Sequence, residues 1–273
     1  MIGVRLNGRL GNQLFQYALA FSVAKKYNTF YIIDNDYKDD YVKKYFKTKR
    51  LFNNKLVRRF YKKLLLPTTT FVYQNNEETT EVILPLLNNH RFYYGFFQSE
   101  LYFQQISDTM QNCLQVKPGY IKTFSKKCGH LFGQKKVLAI HYRLGDYMTW
   151  GNKEQGGSDL TLPESYYRNA LQQIIGLDDY TILVVTDDTK NIANKLQEVK
   201  NKIIFSDDEI IDFQVLMNAD TIIASNSSFC WWAAYLNKKQ PTIFAPKYWL
   251  GFKVNKEMPS NIIPGKFIKV NVY

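Results

Sequence analysis

From residue 137 onward, apolar β-type runs alternate with helical stretches, and that alternation leaves few folds open to the chain. VLAIHYR (137–143) is a nearly continuous apolar run ending in polar residues, the pattern of a strand buried on both faces of a parallel sheet. A polar, glycine-bearing loop (144–161) and a helix opened by Pro163 come next. The strand TILVVT (181–186), a helix around 190–199, the strand KIIF (202–205) and a helix around 209–219 follow. The strand TIIAS (221–225), a helix entered at SSFCWWAAYL (227–236) and the strand PTIFA (241–245) complete the series. Short connections between such units predict a parallel sheet flanked by helices, with ligands bound at the carboxyl ends of its strands.

The first half starts in the same way. MIGVRL reads as a strand, NGRLGN as a turn punctuated by Gly8 and Gly11, and 13–26 as a helix marked by Leu14, Tyr17, Ala18, Phe21 and Ala24. YIID (31–34) is a second strand. A basic helical region at 38–66 is broken at Pro67 and Thr68 to Thr70. Strand-like runs near 71–74 and 92–97 and helical stretches near 100–115 and 119–128 follow. A chain of 273 residues is at the size where one core tends to split into two. The polar segment KKCGHLFGQKK (126–136) places the boundary, giving domains 1–133 and 134–273.

With 45% hydrophobic and 22% charged residues the chain is globular rather than disordered. Its net charge of +12 favours anionic partners, and much of it is local. Eleven Lys and Arg residues lie between Lys38 and Lys63, where Phe52, Leu56, Phe60 and Leu64 form a stripe at fourfold spacing. Two readings stay open: a solvated basic helix docked on the core, or a peripheral contact with anionic lipid through 38–63. No nucleic-acid partner is expected. Three cysteines, Cys113, Cys128 and Cys230, are an odd number without metal-type spacing, which fits a reducing compartment. The initial apolar stretch is short and interrupted by Arg5, Asn7 and Arg9, so no signal peptide is expected. The cytoplasm is the expected location, with peripheral attachment to the inner face of the membrane under the second of these readings, the contact with anionic lipid.

Three polar clusters fall just beyond predicted strands. NGRLGNQ (7–13) precedes a helix whose first N–H groups lack partners, and its glycines permit a close ligand approach. HYRLGDY (141–147) delivers His141, Arg143 and Asp146 at a buried strand end. Arg143 has two roles open to it: a diphosphate anchor through its planar donor fork, or an internal ion pair with Asp146 that ties a loop. In SNSSFCWW (225–232), Ser225, Asn226, Ser227 and Ser228 lie between strand and helix, as an anion site or as a helix cap. Trp231 and Trp232 are expected in the core, and His90 and His130 lack supporting neighbours.

GRLGNQLFQYA (8–18), YGFFQSELYF (94–103), HYRLGDY, LPESYYRNAL (162–171), VVTDD (184–188) and SNSSFCWWAAYL (225–236) resemble, in order, the motifs of the α-1,2-fucosyltransferases of glycosyltransferase family 11. The resemblance spans nearly the whole chain. It implies an α/β fold of the GT-B type, two facing Rossmann-like domains with parallel sheets, the first on the acceptor side and the second binding GDP-fucose. It also implies inverting, metal-independent transfer of L-fucose from GDP-β-L-fucose to the 2-hydroxyl of a terminal β-galactoside. A lipid-linked acceptor is a separate expectation, from the basic segment 38–63. No cofactor is implied. A transferase of another linkage or acceptor, or a non-catalytic nucleotide-sugar or glycan binder, is the alternative.

By the same resemblance Arg143 binds the donor diphosphate and His141 contacts the donor. Asp212, in IDFQVLMNAD, resembles a guanine-binding aspartate. Ser227, Ser228 and Phe229 resemble phosphate and base contacts, and Asn12 resembles an asparagine of the other domain. Asp146 is the nearest carboxylate for a general base, with the orientation of Arg143 or His141 as its other role. Leu144 stands where many relatives carry a second arginine, which implies that more of the diphosphate charge falls to Arg143.

Overall fold

The computed structural model describes residues 1–34, 39–48, 59–61, 63, 66–74 and 78–273. The stripe residues Phe52, Leu56 and Leu64 of the expected basic helix lie outside the described residues, so its proposed membrane role gets no structural account. Among the described residues no helix is long and apolar enough to cross a membrane. Two compact units emerge, Met1–Val116 with Pro259–Ile262, and Lys117–Met258 with Ile263–Tyr273.

The first unit is built on β1 (Ile2–Arg5), β2 (Tyr31–Asp34), β4 (Thr70–Tyr73) and β5 (Arg91–Tyr94), with β3 (Phe46–Lys47) and β6 (Gln115–Val116) as a separate antiparallel pair. Its sheet runs β2-β1-β5-β4 and every pairing in it is parallel. The glycine-bearing turn leads into the helix Leu10–Lys26, which buries Leu10, Leu14, Phe15, Tyr17 and Ala18. Two buried glutamines of that helix tie the turn in place. Gln16 accepts from the Asn7 N–H and donates to the Gly95 carbonyl, both at 2.9 Å. Gln13 donates to the Gly8 carbonyl and accepts from the Tyr41 N–H. The helix expected over 100–115 is instead two 3₁₀ turns, Glu100–Tyr102 and Gln104–Ile106, ahead of Ser107–Cys113. Phe103 (φ −140°) and Ile106 (φ −127°) lie outside helical geometry and interrupt it.

The second unit carries β7 (Lys136–Tyr142), β8 (Tyr180–Thr186), β9 (Lys202–Phe205), β10 (Thr221–Ile223), β11 (Thr242–Pro246) and β12 (Ile268–Val270). Their order is β12-β11-β10-β7-β8-β9, all parallel. Val137, Leu138, Ala139 and Ile140 are buried without a break, as a strand covered on both faces requires. On one side Tyr142 stacks on Tyr167 at 4.1 Å, within a cluster that includes Leu144, Leu162 and Tyr166. Trp231 and Trp232 are buried in the core as expected. Removing a side chain of this size from water contributes roughly 1.5–3 kcal/mol.

Three expectations are corrected. The helix around 190–199 stops at Ile192, and Leu196, at φ +52°, is in the left-handed region, where a helix cannot continue. A final strand, β12, was missed. The units divide after Val116, not within 126–136, because the helix Pro118–Cys128 joins the second unit, where Gln214 donates to the Tyr120 carbonyl.

Candidate active site at the strand ends of the second unit

The three adjacent strands β10, β7 and β8 end side by side, and the polar clusters sit just beyond them. β7 delivers His141 and then Arg143, β8 leads into Asp187, and β10 leads into the turn Ser225 to Ser228. Two tyrosines of LPESYYRNAL fix these ends from below. Tyr166 donates to the Ala224 carbonyl at 2.5 Å and Tyr167 to the His141 carbonyl at 3.3 Å.

Arg143 lies at the centre. One terminal nitrogen contacts Asp146 at 2.5 Å and the other Asp187 at 2.9 Å, and the side chain is only 14% exposed. Asp187 also accepts from the Leu144 N–H at 2.9 Å, so one carboxylate holds both the guanidinium and the backbone beside it. Gly145, at φ +29°, leaves room for that carboxylate: a Cβ there would come within 2.3 Å of Asp187 Oδ2. Arg143 Nε is buried without a hydrogen-bond partner among the described residues. The guanidinium also lies 5.3 Å from the ring of Tyr147. Tyr147 in turn donates to the Asn226 carbonyl at 3.2 Å, which links the arginine loop to the serine turn. Burial pushes the Tyr147 phenol up to about 12, so it remains a donor.

His141 is 4% exposed, and its Nδ1 shares a 2.7 Å hydrogen bond with the Ser225 hydroxyl. Burial, then the charge of Arg143, depresses its pKa to about 3. The imidazole is therefore neutral at physiological pH and a weak base. Phe229 lies 5.8 Å from the His141 ring and meets Phe213 edge-on at 5.3 Å. Ser227 is the N-cap residue of the helix Ser228–Leu236, but its hydroxyl does not cap that helix, and the preceding Asn226 carbonyl accepts from Tyr147. That helix thus starts from the turn that Tyr147 ties to the arginine loop, and its first N–H groups lack partners within the helix.

Two other expected site residues have partners of their own. Asp212 accepts from the Asp207 N–H at 2.9 Å, and its neighbour Phe213 meets Phe229 of the cluster. Burial, reinforced by the charges of Asp207, Asp208 and Glu209, pushes its carboxyl up to about 8. Asn12 belongs to the first unit, where it accepts from Gln98 at 2.7 Å under the tight turn at Gly8 (φ +73°). Leu144 is 5% exposed and packs into the core cluster, so that position holds an apolar contact here rather than a vacancy for a cation. Asp187, Tyr147 and the tyrosine pair were not singled out from sequence. For Asp187 the paired carboxylates closing VVTDD were the available signal. Among the described residues no group of three or more His, Cys, Asp or Glu is placed to hold a metal ion.

The geometry can be set beside known proteins. An α-1,2-colitosyltransferase of Escherichia coli is 25% identical over 275 residues, covering 91% of this chain and 92% of that one. The O-antigen biosynthesis glycosyltransferase WbnK of Escherichia coli is 28% identical over 135 residues, 45% of this chain and 44% of that one. The chain therefore spans less than half of WbnK and nearly all of the colitosyltransferase. Among solved structures, the fucosyltransferase NodZ from Bradyrhizobium superposes with a TM-score of 0.54 at 12% identity, over 85% of this chain and 91% of that one. A NodZ structure soaked with GDP-fucose gives 0.56 at 11% identity, over 86% and 92%. That likeness agrees with the expected GT-B class, and both units carry parallel sheets. The model of Glycosyl transferase family 11 matches residues 1–264, and the chain belongs to that family.

Proposed function

We propose that this chain transfers L-fucose from GDP-β-L-fucose to the 2-hydroxyl of a terminal β-galactoside, with inversion and without a metal. The observation that carries the reading is Arg143, held by Asp146 and Asp187 at the end of a buried central strand, beside the turn that opens the helix Ser228–Leu236. As the acceptor oxygen attacks the anomeric carbon and the bond to the diphosphate breaks, negative charge develops on the departing phosphate oxygens. A preoriented guanidinium and the first N–H groups of a helix are suited to that charge. Ser227 and Ser228 lie at the same turn, and Phe229 packs against His141, which serves as a neutral hydrogen-bonding group.

Asp146 is 57% exposed and bonded to Arg143, which favours an orienting role over that of an essential base. A transition state with oxocarbenium character, in which the acceptor proton is lost late, is compatible with a weak base. The acceptor is read as a surface-polysaccharide glycan built at the inner face of the membrane. That reading draws on the O-antigen relative and on the basic segment 38–63.

The test is incubation with GDP-fucose and a panel of β-galactosides, with and without EDTA, followed by linkage analysis of the product. An α-1,2-fucosyl product formed equally in EDTA supports the reading, and a product of another linkage or a requirement for metal overturns it. Because one relative is named for colitose, GDP-colitose forms a second arm. Preference for it would reassign the donor sugar and leave the diphosphate role of Arg143 in place.

A further inference from the structure

Four tryptophans occur in the chain, and three of them, Trp231, Trp232 and Trp249, are at most 1% exposed. Trp150 is 54% exposed. A large aromatic side chain left in water on a mobile loop would need no explanation, but this loop is braced. The Gly151 N–H donates to the Ser158 carbonyl at 2.6 Å, and the Leu160 N–H to the Tyr147 carbonyl at 2.7 Å. Between them Asn152 and Gln155 form a reciprocal capping box around a 3₁₀ turn. Gly151 lies so close to the returning strand of the loop that a Cβ would come within 2.3 Å of the Gly157 carbonyl. Leu160 is fully buried, and its carbonyl accepts from Asn226 at 2.9 Å, which fastens the loop to the serine turn.

The indole is also tied to the arginine. Its ring stacks on Tyr147 with centroids 5.6 Å apart and planes 29° apart, and Tyr147 in turn lies against the Arg143 guanidinium. A ladder Arg143, Tyr147, Trp150 thus runs outward from the charge that would hold the diphosphate. Exposed polar residues lie within four positions of Trp150 in the chain, among them Asp146, Asn152, Lys153 and Glu154.

We infer that Trp150 is the stacking platform for the pyranose ring of the acceptor sugar. The inference rests on the transferase reading above and deepens it. A pyranose has an apolar C–H face and a rim of hydroxyls. An exposed indole on a rigid loop suits the first, and the surrounding carboxylates and amides suit the second. The loop's rigidity matters because a preorganised platform loses little freedom on binding.

The experiment compares the wild type, Trp150→Ala and Trp150→Phe in steady-state transfer to lactose at saturating GDP-fucose. It is joined to acrylamide quenching of tryptophan emission, which reports chiefly on the exposed indole. The acceptor KM of Trp150→Ala is expected to rise about tenfold, with a much smaller change in kcat, which corresponds to about 1.4 kcal/mol for the loss of one aromatic stack. Trp150→Phe restores most of the loss. In the wild type, lactose added with GDP shields the emission from acrylamide, and GDP alone does not. An unchanged acceptor KM in Trp150→Ala overturns the subsite while leaving the donor assignment intact. Full shielding by GDP alone also overturns it, assigning the indole to the nucleotide. A wild-type chain that neither hydrolyses nor transfers from GDP-fucose or GDP-colitose overturns the transferase reading, and the subsite with it.

Discussion

Asp187 holds Arg143 across two neighbouring strand ends, with a carboxylate oxygen 2.9 Å from the guanidinium. Its other oxygen accepts from the Leu144 N–H, so orientation of the side chain and of the backbone depend on one group. Asp187→Asn keeps an acceptor for the backbone and loses the charge. The expected result is a fall in kcat of up to about 100-fold, the scale associated with a small misplacement of a catalytic group. Steady-state kinetics beside circular dichroism would separate this from unfolding, and wild-type kcat in a folded Asp187→Asn would refute the positioning role.

Arg143→Ala should cost about 100- to 1,000-fold in kcat/KM, the usual effect of removing one positioned charge-stabilising group. Arg143→Lys should recover only part of this, since a point charge cannot contact Asp146, Asp187 and a phosphate in a planar fork. Equal activity of the lysine variant would show that charge alone matters there.

Gly145→Ala tests the same assembly without replacing a charged group. The new methyl meets Asp187 Oδ2, and alanine must also adopt φ +29°. Strain of this kind costs about 1–3 kcal/mol. The expected outcome is a lower melting temperature together with a loss of activity like that of Asp187→Asn. A variant with unchanged stability and activity would mean that the loop relaxes freely.

Two buried titratable groups set opposing pH dependences. The pKa of His141 is depressed in the fold, to about 3, so its contribution is fully present above the ordinary histidine value near 6.5 and is lost as the pH falls toward 3. The pKa of Asp212 is raised, to about 8, so its contribution is fully present below its ordinary value of 3.8 and declines as the pH rises through 8. Between pH 6.5 and 8 only the Asp212 slope remains of the two. Asp212→Asn should therefore flatten the fall in stability over that interval, measured as melting temperature against pH. Parallel curves for variant and wild type would contradict the raised carboxyl.

What could be read from the residues in order was whatever repeats locally. Val137 to Ile140 announce a strand buried on both faces, and the change from TIIAS to SSFCWWAAYL announces a strand, a turn and a helix. The pairing of Arg143 with Asp187 was not legible, because it depends on β7 and β8 being neighbours with His141 opposite Val185. Tyr166 and Tyr167 looked like helix residues, and only the fold shows their hydroxyls bonded to strand-end carbonyls. The helix that stops at Ile192 was overextended because its sequence carries no proline or glycine before Leu196, where the backbone turns left-handed.

The ring closure between Tyr147 and Leu160 has a consequence for how such a chain diversifies. The loop leaves and rejoins the fold at two hydrogen-bonded neighbours, so residues 148–159 form a closed segment, which Lys253 further ties through the Asp159 carbonyl. Exchanging it between family members would alter what Trp150 presents while Arg143, Asp187 and the serine turn keep their places.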